Sequence, residues 1–238
     1  MTAEVSRHTA AAFLARNRGG GLFTETVNQR IAAYLCVAAE RWGLPPSALT
    51  LTNLVLGLVG SGLVVALAPA MAGGVVPPPA VGGAALLLWQ VAYCLDCADG
   101  QLARVTGQAS PAGARLDVLC DVALQISLVA AVSAVAHAYT PGIRAWLVAG
   151  FAGTWLVNLV TSTMQQGATA ASLVTSRSMI VRLIKLVRDY GAVVTVIGLA
   201  LAGAPAATAW LMVAFVVVNG GFLLVSIAAT ARTSLSRS

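Results

Sequence analysis

The chain has 238 residues, of which 58% are hydrophobic and only 9% are charged. Soluble globular domains carry about a quarter charged residues, so the composition excludes that class and points to an integral membrane protein with several spans. A net charge of +6 would suggest nucleic acid in a soluble chain; here basic loops facing an anionic leaflet account for it, and no nucleic-acid partner is expected.

Residues 1–21 are polar, contain Arg7, Arg16 and Arg18, and end in Gly19-Gly20-Gly21. They read as a mobile cytoplasmic tail without the apolar core of a signal peptide. In residues 22–43, Leu22, Val27, Ile31, Tyr34, Leu35 and Ala38 recur at helical spacing among Glu25, Gln29, Arg30, Glu40 and Arg41. That pattern predicts an amphipathic helix lying in the membrane interface, with Trp42 at headgroup depth. Leu44-Pro45-Pro46-Ser47 breaks it. Residues 1–43 are therefore expected to form tail and interfacial helix, and residues 44–238 the membrane domain.

Apolar runs follow at about 49–70, 81–103, 114–138, 143–165, 187–203 and 206–230. At 1.5 Å per residue each is long enough for roughly 30 Å of hydrocarbon, the fifth being short. The expected fold is all-α, a bundle of six transmembrane helices with an N-terminal amphipathic interfacial helix. Of the fourteen basic residues only Arg144 falls on the far side of such a bundle. This asymmetry places both termini in the cytoplasm of a multi-pass protein of the inner cell membrane.

Four of the eight acidic residues lie in one stretch. It reads Asp96-Cys97-Ala98-Asp99-Gly100-Gln101-Leu102-Ala103-Arg104, followed by Gly113, Asp117 and Asp121. Acids in membrane helices are expensive, and each is a functional candidate. Asp96 and Asp99 share one helical face, as do Asp117 and Asp121. The short connection 105–113 makes the two helices antiparallel neighbours, so the faces meet in an oxygen-lined pocket. Hard cations such as Mg²⁺ and Mn²⁺ take such ligands. Two ions, or one ion plus a free carboxylate base, would use all four acids. Gly100 and Gly113 permit close backbone approach, Ala103 permits close helix packing, and the Arg104 fork suits a phosphate. On spacing alone, metal-dependent phosphoryl transfer competes with a cation-coupled transporter. The transporter reading is weakened because no inverted repeat with broken helices is visible.

Cys94 and Cys97 form a C-x-x-C, but they sit in an apolar helix without a second such pair or a nearby His. They read as packing residues, like Cys36 and Cys120. Neither His8 nor His137 has a companion at ligand spacing.

The pattern D-x2-D-G-x2-A-R-x8-G-x3-D-x3-D resembles the motif of the CDP-alcohol phosphotransferase (CDP-alcohol phosphatidyltransferase) family at each fixed position. The resemblance implies transfer of a substituted phosphate from a CDP-linked donor to an alcohol, with release of CMP, in phospholipid biosynthesis. It implies two Mg²⁺ or Mn²⁺ ions held by Asp96, Asp99, Asp117 and Asp121, with Asp121 also the general base. By the same resemblance Gly100, Ala103, Arg104 and Gly113 belong to the nucleotide and diphosphate site. Thr50 joins them, because Pro46-Ser47-Ala48-Leu49-Thr50 stands where the family often has Pro-Asn-x-x-Thr. A homodimer is implied too.

The donor expected from the resemblance is CDP-diacylglycerol; CDP-choline or CDP-ethanolamine with a diacylglycerol acceptor is the alternative. The motif does not encode the acceptor. Arg177, Arg182 and Lys185 would suit a phosphorylated polyol such as inositol phosphate or glycerol phosphate. Serine or inositol would suit a site without them.

Overall fold

The computed structural model describes residues 8–17, 20–165 and 189–235, and all regular structure there is helical. A short helix, α1 (Ala10–Leu14), is followed by a π-helical turn (Thr24–Asn28) that runs into α2 (Gln29–Arg41). Three long helices come next: α3 (Pro46–Ala72), α4 (Pro78–Val105) and α5 (Pro111–Tyr139). Then come α6 (Ala145–Gln165), α7 (Tyr190–Gly203) and α8 (Thr208–Leu235), the last entered through a 3₁₀ turn, Pro205–Ala207.

Each of the three long helices has proline in its first turn. There the ring's fixed φ suits the helix and the missing N–H leaves no intrahelical bond unmade. The α4–α5 turn matters most for the site. Gly107 takes φ +69°, a left-handed conformation that reverses the chain after α4. Ser110 then caps α5, its Oγ accepting from the Gly113 N–H at 3.1 Å.

Helix α3 packs along both α4 and α5, while α2 and α7 both lie against α4, and α6 pairs with α8. One apolar cluster includes Val64, Trp89, Leu128, Phe151, Leu201 and Met212. A second, with Phe13, Cys36, Leu49, Leu95 and Leu102, joins α1 and α2 to α3 and α4. The α4–α7 crossing is tight: a Cβ on Gly82 would lie 2.4 Å from the Ala202 backbone nitrogen. Small residues let membrane helices approach in this way.

The six expected spans become four. Among the described residues Pro46–Ala72, Pro78–Val105, Pro111–Tyr139 and Pro205–Ala228 are long and apolar enough to cross a membrane. The other two apolar stretches are shorter: α7, Tyr190–Gly203, and Ala145–Val157, the part of α6 whose side chains are described. The 14 residues of α7 rise only about 21 Å, against roughly 30 Å of hydrocarbon. The apolar run expected as a fifth span was marginal in length, and its first residues lie outside α7. The protein is thus an all-α, multi-pass membrane protein with four such helices among its described residues.

The expected mobile tail does not describe residues 8–17. Phe13 is fully buried against the second cluster. His8 meets Glu40 twice, through its backbone N–H at 2.9 Å and its ring Nδ1 at 2.6 Å. Helix α2 has three faces rather than two. Ala32, Ala33, Cys36 and Ala39 bury against the protein, whereas Leu22, Ile31, Tyr34 and Trp42 stay exposed beside the charged residues. Small residues serve the packing face and leave the large apolar ones outward.

Candidate active site

The site starts from two spacings. Asp96 and Asp99 lie one turn apart on α4, and Asp117 and Asp121 one turn apart on α5. The Gly107 turn reverses the chain, and both helices pack on α3, which brings their acidic ends together. Ligand oxygens of Asp96, Asp99 and Asp117 then lie within 4.8 Å of one another. Asp99 is buried, and the other two are half-buried. Asp121 reaches Asp96 from the facing helix and stands beside this trio rather than within it.

Helix α3 supplies the hydrogen bonds that orient the α4 pair. Thr50 Oγ1 donates to Asp99 Oδ2 at 2.5 Å, and Asn53 Nδ2 donates to Asp96 Oδ1 at 3.1 Å. Thr50 and Asn53 are themselves one turn apart, running antiparallel to the carboxyls they hold. Both are buried. Thr50, expected at the nucleotide, is placed on a carboxylate.

Next to the acids lies a cavity of about 20 Å³, lined by Asn53, Trp89, Tyr93, Asp96, Asp121 and Tyr190 among others. That volume holds roughly one water-sized group among polar partners. The rings of Tyr93 and Tyr190 meet edge to face at 4.8 Å.

At the outer end of α4 the Arg104 guanidinium folds back over Gly100. A Cβ there would sit 2.9 Å from Nη1, so the absence of a side chain makes room for the arginine. Arg104 is also an electrostatic neighbour of Asp117. Ala103 is half-buried on the same turn. Gly113 is exposed in the first turn of α5, tied to the Ser110 cap. Arg177, Arg182 and Lys185 lie outside the described residues.

Asp96, Asp99 and Asp117 form an oxygen-rich cluster that could hold a metal ion, with Asp121 and Arg104 beside it. Residues 43–233 match the family model for CDP-alcohol phosphatidyltransferase. The chain belongs to that family. No curated protein matches it. Membership of the CDP-alcohol phosphatidyltransferase family supports a phosphotransferase acting on a CDP-linked donor and a small acceptor. Carboxylate oxygens are hard ligands, suited to a hard cation.

Several residues of this family member's site escaped the sequence reading. Asn53 is the lone amide in the apolar run of α3, one turn from Thr50, and that isolation was a usable signal. Asp189 caps another part of the chain. Its Oδ2 accepts from the N–H groups of Phe23 at 2.7 Å and Thr24 at 3.0 Å, and its Oδ1 from Thr24 Oγ1 at 2.5 Å. Thr24 Oγ1 also meets Tyr93 Oη at 3.1 Å. Nearby, Asn28 Nδ2 donates to Gln90 Oε1 at 2.8 Å, and Gln90 Nε2 donates to Gly191 O at 2.9 Å and Thr195 Oγ1 at 2.7 Å. These bonds clamp the start of the α2 segment to α4 and α7 beside the two tyrosines. Their partners are 62 to 166 positions apart in sequence, beyond the reach of any local pattern.

The cysteines are all free, and Cys36, Cys94 and Cys120 are buried. Burial pushes the Cys36 thiol up to about 12, and its Sγ donates to the Ala98 carbonyl at 3.1 Å. It is a packing group, inert as a nucleophile.

Proposed function

We propose that this protein transfers a phosphatidyl group from CDP-diacylglycerol to an alcohol, releasing CMP. The observation that carries the reading is the placement of Asp121. It lines the small cavity together with Asp96, yet stands outside the trio of Asp96, Asp99 and Asp117 whose oxygens converge next to it. Asp96, Asp99 and Asp117 are the residues that would hold divalent cations, with Asp121 at the edge of their set. When bound, such ions supply neutralisation of the diphosphate and so improve CMP as a leaving group. Thr50 and Asn53 keep two of the carboxyls in register, and Arg104 steadies the donor's diphosphate beside Gly100.

The acceptor hydroxyl sits against Asp121, which takes its proton. The hydroxyl oxygen forms a bond to the β-phosphorus in line with the bridging oxygen. The bridging P–O bond breaks, and its electron pair leaves with CMP. The acid end of the bundle faces the cytoplasm in this reading. Arg104 and Arg115 flank the turn there and Arg104 meets Arg16, whereas Arg144 lies in the α5–α6 connection at the other end of α5. Leu22, Ile31, Tyr34 and Trp42 then rest in the headgroup region.

Two acceptor classes are supported by different residues. Arg177, Arg182 and Lys185 favour a phosphorylated polyol. The cavity beside Asp121 favours an uncharged hydroxyl compound, since its lining of Asn53, Tyr93 and Tyr190 includes no cation among the described residues. The test is CMP release by purified protein in detergent with CDP-diacylglycerol and Mg²⁺ or Mn²⁺, run against inositol phosphate, glycerol phosphate, serine and inositol. Release that requires one acceptor and one divalent ion supports the reading and names the acceptor. Absence of release with every combination, CDP-choline and CDP-ethanolamine included, would sink it.

A further inference from the structure

The N-terminal segment does more than cover apolar surface. Arg104 Nε donates to the backbone carbonyl of Arg16 at 2.9 Å. One residue on, the Asn17 side chain is held from two sides. Its Oδ1 accepts from Gln101 Nε2 at 2.7 Å, and its Nδ2 donates to Gln29 Oε1. Gln101 is fully buried and also donates to the Gln29 carbonyl at 3.1 Å. Phe13 anchors the same segment in the cluster with Leu95, Ala98 and Leu102 of α4. The glutamine that holds Asn17 and the arginine that meets Arg16 are one turn apart on α4, inside the acid-bearing stretch.

An arginine at the end of a helix has many rotamers, and fixing them costs conformational entropy. A carbonyl held rigidly at Nε selects one of them and leaves the guanidinium plane folded over Gly100. We propose that residues 8–17 are a positioning element of the donor site, orienting Arg104 for the diphosphate through the Arg16 carbonyl, with Phe13 and Asn17 as the anchors. The inference rests on the reading of Arg104 as a diphosphate ligand. The contact is made by backbone, so the side chain of residue 16 is secondary, and the segment acts on donor binding rather than on the acceptor.

The test is a double-mutant cycle on CMP release from CDP-diacylglycerol, using full-length protein, a deletion of residues 1–17, Arg104→Lys, and the two combined. Lysine keeps the charge and loses the Nε–carbonyl contact. Deletion is expected to raise the apparent KM for the donor about tenfold with Arg104 present, and less than twofold with lysine there. The acceptor KM should stay within twofold throughout. Asn17→Ala, a milder variant that keeps the segment, should raise the donor KM in the same direction, again only with Arg104 present. Equal effects of the deletion in both backgrounds would overturn the inference and leave the segment a structural support. A lower donor KM on deletion would also overturn it, since the segment would then be obstructing the site. If Arg104→Lys alone leaves the donor KM unchanged, the reading of Arg104 fails instead, and the two failures are distinct.

Discussion

Asn53 and Thr50 show how much of the site is set by neutral side chains. Carboxylates brought together repel, and something must fix which way each points before a cation can use them. The amide of Asn53 holds Asp96 and the hydroxyl of Thr50 holds Asp99. Partners that orient metal ligands typically contribute 10–100-fold to metal affinity or activity. Asn53→Ala is therefore expected to raise the Mg²⁺ or Mn²⁺ concentration needed for half-maximal CMP release by about that factor, while the saturating rate falls less. An unchanged metal titration would remove Asn53 from this role. The Cys36 thiol makes the opposite case. Buried, protonated and donating to Ala98, it should resist alkylation in the folded protein, and rapid modification under native conditions would contradict its placement.

Asp189 acts at the level of whole elements. It accepts three hydrogen bonds from Phe23 and Thr24, binding the start of the π-turn and α2 to the beginning of α7. Gly21 makes room for Asp189 and Gly191 for Asn28: a Cβ on Gly21 would meet the Asp189 carboxylate, and one on Gly191 would meet Asn28 Oδ1 at 2.3 Å. Asp189→Ala leaves buried donors without an acceptor, which costs about 1–3 kcal/mol. Asp189→Asn keeps an acceptor oxygen and should lose less. A melting temperature in detergent that is unmoved by Asp189→Ala would sink the clamp. At the α4–α7 crossing, Gly82→Ala drives a methyl into the α7 backbone. It should cut the yield of folded protein far more than alanine at Gly83, where the added carbon meets open space. The acids, their two helices and the sharp turn between them were legible in the sequence, because helical spacing and a short connection are local facts. The clamp was not, since its donors and acceptors meet only after the chain has folded. Nor was the docking of residues 8–17. Their polarity suggests a solvated tail, and one buried phenyl ring and a few backbone contacts decide otherwise.

The whole molecule is a membrane protein whose polar chemistry is collected at one end. Hydropathy located the apolar runs but overcounted the crossings, because α7 and the described part of α6 provide apolar character without length. Gln108 lies in the turn at the acid end, and Val75 in the turn between α3 and α4 at the other. With the native cysteines shielded, Gln108→Cys should be labelled by an impermeant thiol reagent only from the cytoplasmic side, and Val75→Cys only from the other. Labelling in the reverse sense would invert the orientation.

The central claim is that Asp121 removes the acceptor proton in a reaction whose donor is held by its neighbours. The most direct measurement is single-turnover CMP release by Asp121→Asn, made alongside binding of CDP-diacylglycerol to the same protein. The account predicts release slowed at least a hundredfold, the range general-base catalysis supplies, with donor affinity changed by less than about threefold. Release at the unmodified rate would contradict the account and take the base away from Asp121.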